Sequence, residues 1–266
     1  MPMFRQVTDQ MGRVLNVPAM PKRIVSLVPS QTELLYDLGL KDEVAGQTLF
    51  CIHPQSMHQT KPRVGGTKNF NIEKIRALQP DLIIGNKEEN DKHRIEALEN
   101  EFPVWMSDIK NLNDALEMIH RVGELVGKTG EANVLTTQIS GAFDAIATSS
   151  APKRTLYLIW RKPWMAAGAH TFINDMLMRC GLINVLEDEF SRYPELSDEL
   201  LRQLNPQVVL LSSEPYPFKQ QHVEELQAVL PESQILCVDG ELFSWYGSRL
   251  LHSVRYFNEL LQHINV

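Results

Sequence analysis

The chain has 266 residues, 43% of them hydrophobic and 22% charged, the balance of a globular protein with room for one large domain or two smaller ones. A net charge of −7 argues against a nucleic-acid-binding surface, so no nucleic-acid partner is expected. The three cysteines, Cys51, Cys180 and Cys237, are odd in number and far apart, which implies no disulfide framework, and no apolar run reaches the ~18 residues of a membrane span.

The opening Met-Pro-Met-Phe-Arg-Gln-Val-Thr-Asp-Gln has no apolar leader core, so the chain is expected either to stay in the cytoplasm or to be a mature, exported form. The first strong strand is Arg23-Ile-Val-Ser-Leu-Val28, a β-branched run suited to a sheet covered on both faces. After Pro29, the run Ser30-Gln-Thr-Glu33 reads as a capping box opening a helix that buries Leu34, Leu35 and Leu38 and stops at Gly39. Strands follow at Glu43–Gln47, Asp81–Gly85 and Val104–Met106 with helical segments between, the grammar of a parallel sheet flanked by helices.

From Leu112 the pattern turns helical, first through Ile119 and Val126, then through Leu135, Ile139, Phe143 and Ile146. The second run, about 18 residues and about 27 Å as a helix, reads as a connector between two lobes or as an ordinary crossover helix. Strand and helix alternate again from Thr155–Ile159, through a helix at Phe172–Arg179, strands at Val208–Ser212 and Ile235–Val238, and a last helix from Leu250. The expected division is a lobe over 1–128, a connecting helix over 129–150 and a second lobe over 151–266.

An internal repeat supports two lobes of one plan. Glu73-Lys-Ile-Arg-Ala-Leu-Gln-Pro80-Asp-Leu-Ile-Ile parallels Glu199-Leu-Leu-Arg-Gln-Leu-Asn-Pro206-Gln-Val-Val-Leu at one offset of 126 residues. Glu73 and Glu199 both fall in the first turn of a helix, which suits the helix dipole and also makes them a matched pair of exposed acids, one per lobe.

In parallel α/β folds ligands bind beyond the carboxyl ends of the strands. Those ends lead to Phe50, Cys51 and His53; to Lys87, Glu88 and Glu89; to Trp160, Arg161 and Trp164; to Glu214 and Tyr216; and to Glu241, Phe243, Trp245 and Tyr246. Aromatic faces with a few charges suit a bulky, partly planar ligand, or else they plug the interface between lobes. Cys51 and His53, with His58 and His170, could hold a transition metal, although Cys-x-His without a second ligand pair is a weak signal. Gly123-Glu-Leu-Val-Gly127-Lys-Thr129 resembles a phosphate loop but is one residue short and follows a helix, so it reads as helix termination. No nucleophile elbow or dinucleotide fingerprint appears, and nothing asks for catalysis or a resident cofactor.

The strand-and-helix run from Arg23 to Leu35, Gly65-Gly-Thr-Lys-Asn-Phe-Asn-Ile-Glu-Lys-Ile75, and Leu78-Gln-Pro-Asp-Leu-Ile-Ile84 with its echo resemble the helical-backbone substrate-binding proteins of ABC importers, nearest to the vitamin B12 and ferric-siderophore receptors. The resemblance implies two Rossmann-like α/β lobes joined by one long helix, a ligand between them, a monomer, and a periplasmic location. It also implies that Glu73 and Glu199 meet arginines of the permease. The implied ligand is cobalamin or a related metal chelate such as a ferric siderophore or haem. Thr67 stands where the B12 receptors carry an aromatic, with Lys68 beside it, while Glu241 and Phe243 match an acid and an aromatic of their last cleft loop. The expected ligand residues are therefore Phe50, His53, Lys68, Glu88, Trp160, Arg161, Trp164, Glu241, Phe243, Trp245 and Tyr246. The other readings are a direct metal receptor using Cys51, His53 and His170, and a cytoplasmic sensor or enzyme on the same fold.

Overall fold

The computed structural model describes residues 3–146, 152–186 and 190–264. The chain divides into two compact units: Met1–Ile109 with Asn113–Ser140 and Tyr246–Arg249, and Lys110–Leu112 with Gly141–Trp245 and Leu250–Val266.

The first unit opens with a hairpin that the sequence reading omits, β1 (Phe4–Thr8) against β2 (Val14–Pro18). The Asp9 side chain shapes its turn, with Oδ1 accepting from the Met11 and Arg13 amides, both at 2.9 Å. Next come β3 (Ile24–Ser26), α1 (Pro29–Asp37), β4 (Val44–Gln47), α2 (Gln55–Thr60), α3 (Ile72–Leu78), β5 (Leu82–Asn86), α4 (Lys92–Glu99) and β6 (Val104–Ser107). These strands form a parallel sheet in the order β4-β3-β5-β6. All five residues of β5 are buried, as expected for a central strand covered on both faces. The capping box expected at Ser30–Glu33 does not form. Pro29 is already helical and Val28 is the cap, so Ser30 lies inside the first turn and Glu33 is released for another role.

Helix α5 (Leu112–Leu125) buries Leu112, Ala115, Met118, Ile119 and Val122 along one stripe. Helix α6 (Thr129–Asp144) has 16 residues, about 24 Å, and passes from the first unit to the second at Ser140. Residues 147–150 of the expected connecting helix lie outside the described residues.

The second unit contains β7 (Lys153–Trp160), β8 (Trp164–Ala166), α7 (Phe172–Arg179), β9 (Leu182–Asn184), β10 (Glu195–Leu196), α8 (Asp198–Leu204), β11 (Val208–Ser212), α9 (Gln220–Val229), β12 (Gln234–Val238), α10 (Glu241–Ser244) and α11 (Leu250–His263). Its parallel strands run β9-β7-β11-β12, and β8 and β10 add an antiparallel flank to β7. Counted in order of appearance, the parallel strands of both units lie in the order second, first, third, fourth. The topological switch therefore falls between β3 and β5 in one unit and between β7 and β11 in the other, and the carboxyl ends there are where such sheets take ligands.

The 126-residue repeat extends to the hydrogen bonds. Asn71 and Ser197 cap α3 and α8 through their side chains, and Gln79 and Asn205 end them in the left-handed conformation. Arg23 donates from its guanidinium to the Leu78 carbonyl, and Arg154 does the same to Leu204. The Asp81 and Gln207 side chains accept from the amides of Arg23 and Arg154. Each of these α-helices is thus held at both ends by matching residues, the arginines alone standing off the repeat offset because they belong to the preceding strand segments, just before β3 and in β7.

Candidate functional site

At the carboxyl edge of the first unit, the floor is a buried polar network. The Gln31 amide donates to Ser107 Oγ at 2.7 Å, and Asn86 Nδ2 donates to the same oxygen at 3.0 Å. Asn86 Oδ1 accepts from the Glu88 and Glu89 amides, which fixes the turn that carries both acids. Above this floor Phe50 is 59% exposed, flanked by exposed Leu49 and Ile52, and a Cβ at Gly66 would lie 3.3 Å from the Phe50 ring. His53 is half-buried, and exposed Lys68 donates from Nζ to the Glu88 carbonyl at 2.6 Å. Lys68 and Glu88 are thus in contact on this edge and Phe50 lies against Gly66, while His53 follows in the loop after β4.

Tyr246, expected as a stacking surface, is 6% exposed, and its hydroxyl donates to Glu89 Oε1. Burial and the Glu89 carboxylate push the phenol well above its ordinary pKa, so it stays a donor. Arg249 grips Glu33 with two hydrogen bonds of 2.9 and 2.7 Å, both side chains being mostly buried. Between them a Cβ at Gly247 would stand 2.5 Å from the Ser30 carbonyl oxygen, so only glycine fits. The segment Tyr246–Arg249 is a strap bound into the first unit.

At the carboxyl edge of the second unit Trp160 is 40% exposed and meets Tyr216 edge-on at 5.5 Å. Its expected companions are placed differently. Phe243 is fully buried, 5.1 Å from Tyr157 and 4.7 Å from Phe257, because the first turn of α10 points it into the core. Trp164 is 4% exposed, stacked on Phe218 at 6.2 Å, with its indole N–H donating to Asp198 Oδ1 at 3.2 Å. Arg161 lies 4.0 Å over the Trp164 ring and forks onto Glu225, which raises its pKa, so its charge is already committed. Trp245 is 6% exposed and donates to Glu214 Oε1 at 2.9 Å; Glu241 stays half-buried beside it.

Glu214 is the residue that sequence reasoning passed over when choosing site residues, although the 126-residue offset maps Glu88 onto it. Its Oε1 also accepts from Ser244 Oγ at 2.8 Å, and Gly240 permits the approach, since a Cβ there would fall 2.8 Å from Glu214 Cγ. Burial raises its pKa, with Glu241 and Asp239 adding to the shift. A folded-state pKa above the unfolded value means stability that is full below the ordinary carboxylate range and lost as pH climbs through the raised value. Glu214→Gln keeps the acceptor oxygen and removes the charge. It is therefore expected to raise stability by about 1 kcal/mol at pH 8 and by almost nothing at pH 4, read from urea unfolding at both values.

Cys51 is fully buried, and its thiol is held by Thr32 Oγ1 at 3.0 Å and Thr48 Oγ1 at 3.1 Å. Burial pushes its pKa up to about 11, which disfavours the thiolate a metal would need. Among the described residues no group of three His, Cys, Asp or Glu side chains could hold a metal ion.

Glu73 is 77% exposed, contacts Arg76, and shares that arginine with Glu101. Glu199 is exposed, and its own amide together with Ser197 holds its carboxyl below the usual range. Both acids stand in the first turn of their helices, as the repeat required.

Similarity to known proteins agrees with this architecture. A vitamin B12-binding protein of Yersinia pestis (strain Pestoides F) is 26% identical over 216 residues, covering 79% of this chain and 77% of the relative. The petrobactin-binding protein YclQ from Bacillus subtilis superposes with a TM-score of 0.84 at 15% identity, covering 98% of this chain and 99% of that one. The periplasmic heme-binding protein HutB of Vibrio cholerae gives 0.77 at 21% identity, covering 90% and 98%. The family model for periplasmic binding proteins matches residues 24–230, and with two α/β units of one plan behind that match, the chain belongs to the periplasmic binding protein family.

Proposed function

We infer that the protein is the substrate-binding component of an ABC importer, that it captures cobalamin or a related metal chelate such as haem or a ferric siderophore, and that it hands this cargo to the permease subunits. It acts in the periplasm as a monomer, and the chelate is cargo, with no resident cofactor. The observation that carries the reading is the duplicated edge. Among the described residues each unit presents an exposed aromatic at its strand carboxyl ends, Phe50 or Trp160, and an exposed acid at the equivalent first-turn position of the helix before its third parallel strand, Glu73 or Glu199, the latter beside exposed Asp198. The relatives' names support the cargo class, one naming vitamin B12 and the others heme and petrobactin.

The edges present less aromatic surface than the sequence promised, because Trp164, Phe243, Trp245 and Tyr246 are turned into the protein. In the first unit Phe50 with Leu49 and Ile52 offers an apolar face, and exposed Lys68 beside it suits a chelate carrying carboxylate or phosphate groups. A thermal-shift panel of cyanocobalamin, cobinamide, hemin, ferric siderophores and free divalent metals tests this. One chelate class at 100 times its Kd is expected to add about 2.7 kcal/mol of apparent stability. No shift with any chelate would remove the reading.

A further inference from the structure

We propose that in each unit the exposed edge aromatic is mechanically tied to the helix that carries the docking acid, so that a displacement at the ligand edge is delivered to Glu73 and Glu199. The inference rests on the receptor reading above, and it names how that site's state is passed to the partner.

In the second unit the tie runs through side chains laid along a three-strand ladder. Trp160 pairs with Met165 across β7 and β8, Met165 pairs with Glu195 across β8 and β10, and Glu195 stands two residues before Ser197, whose side chain caps α8. A side-chain path runs beside the ladder. Trp160 meets Tyr216, Tyr216 meets Phe218 at 4.9 Å, Phe218 stacks on Trp164, and the Trp164 indole donates to Asp198, the first residue of α8. Leu201 of α8 belongs to the same core cluster as Trp164, Leu196 and Phe218. Antiparallel pairing and a stacked core are stiff, so the hairpin and the helix start move together.

The first unit has the same device built from other parts. The amide of Leu49, next to Phe50, donates to the Gly65 carbonyl at 2.7 Å, and the Val64 amide donates to Gln47 at 2.9 Å. Gly65 bridges to Phe70, and the Asn71 amide donates to Val64 at 2.6 Å. Asn71 is the cap of α3, its side chain accepting from Lys74. In both units, then, backbone hydrogen bonds lead from beside an exposed aromatic to the capping residue of a helix whose first turn holds an exposed acid. The two segments share no sequence pattern, yet both end on the equivalent caps of the 126-residue repeat. Trp164 has no counterpart in the first unit's four-stranded sheet, which makes it the positioning residue special to α8.

Amide hydrogen exchange on the ligand-free protein tests the tie, with α3 and α8 as reporters and the central strands β5 and β11 as references. Trp160→Ala is expected to speed exchange several-fold in α8 and leave α3 unchanged; Phe50→Ala is expected to do the reverse. In a Trp164→Phe background, which keeps a ring but removes the donor, Trp160→Ala should have little further effect on α8. Asp198→Asn, which keeps the acceptor oxygen, should behave as the parent, and Asp198→Ala should match Trp164→Phe. Fully additive effects of Trp160→Ala and Trp164→Phe would overturn the proposal, as would faster exchange in β11 to the same degree as in α8 or an unresponsive α8. Because no ligand is added, this result stands apart from the chelate panel, and either can fail without the other.

Discussion

Charge reversal at Glu73 and Glu199 together is expected to abolish uptake by the permease in reconstituted vesicles while leaving chelate affinity unchanged and lowering the melting temperature only slightly. The cost to the fold is small because both side chains are exposed and Arg76 keeps its paired hydrogen bonds to Glu101 when Glu73 is replaced, so each reversal gives up only a favourable first-turn charge. Docking as proposed would not be indifferent, because a cation set opposite a cationic partner would turn two attractive contacts repulsive and slow encounter. The two single reversals need not be equal. The residue equivalent to Glu101 at the 126-residue offset is Gln227, so Arg202 lacks the second acid that holds Arg76. Initial uptake rates measured at two salt concentrations read this directly, and undiminished uptake by the double variant would remove the docking role.

Arg249→Met should be the most destabilising single change outside the apolar cores, by about 3 kcal/mol at pH 8. Glu33 is held in a mostly buried position where burial raises its pKa and the Arg249 guanidinium opposes that rise. Without the guanidinium the Glu33 pKa climbs further above its unfolded value. The variant then keeps its stability below the ordinary carboxylate range and loses it as pH rises, so the deficit at pH 8 should shrink markedly at pH 4. Adding Glu33→Gln should recover much of the loss. Urea unfolding of the single and double variants, followed in the first unit, distinguishes this from simple loss of packing, which would show no pH dependence and no rescue.

Most of the architecture was legible because local rules agree along the chain. The strand at Val208–Ser212 and the helix at Phe172–Arg179 occur at the residues expected, and the repeated Leu-x-Pro grammar marks α3–β5 and α8–β11 as one plan used twice. The misses have physical reasons. The β1–β2 hairpin is set by one buried aspartate and carries no Asn-Gly or Asp-Gly turn. β8 and β10 are three and two residues long, too short for any periodicity. The Ser30–Glu33 run has the letters of a capping box, but Pro29 starts the helix earlier. At the site, Phe50 and Trp160 were legible as edge residues. Burial of Trp164, Phe243, Trp245 and Tyr246 was not, because a loop aromatic has the same sequence signature whether it faces water or the core.

The strap Tyr246–Arg249 has a consequence for how the chain can be divided. The first unit draws Arg249 for its Glu33 and Tyr246 for its Glu89 from the far end of the polypeptide. A fragment ending at Ser140 would expose one carboxylate without its cation and another without its phenol, and a complementary fragment would carry an orphaned arginine. Neither piece is complete by itself, but mixed together they should reassemble, as split reporters do. A nick in the α6 region would thus leave a noncovalent complex where a two-bead string would simply fall apart.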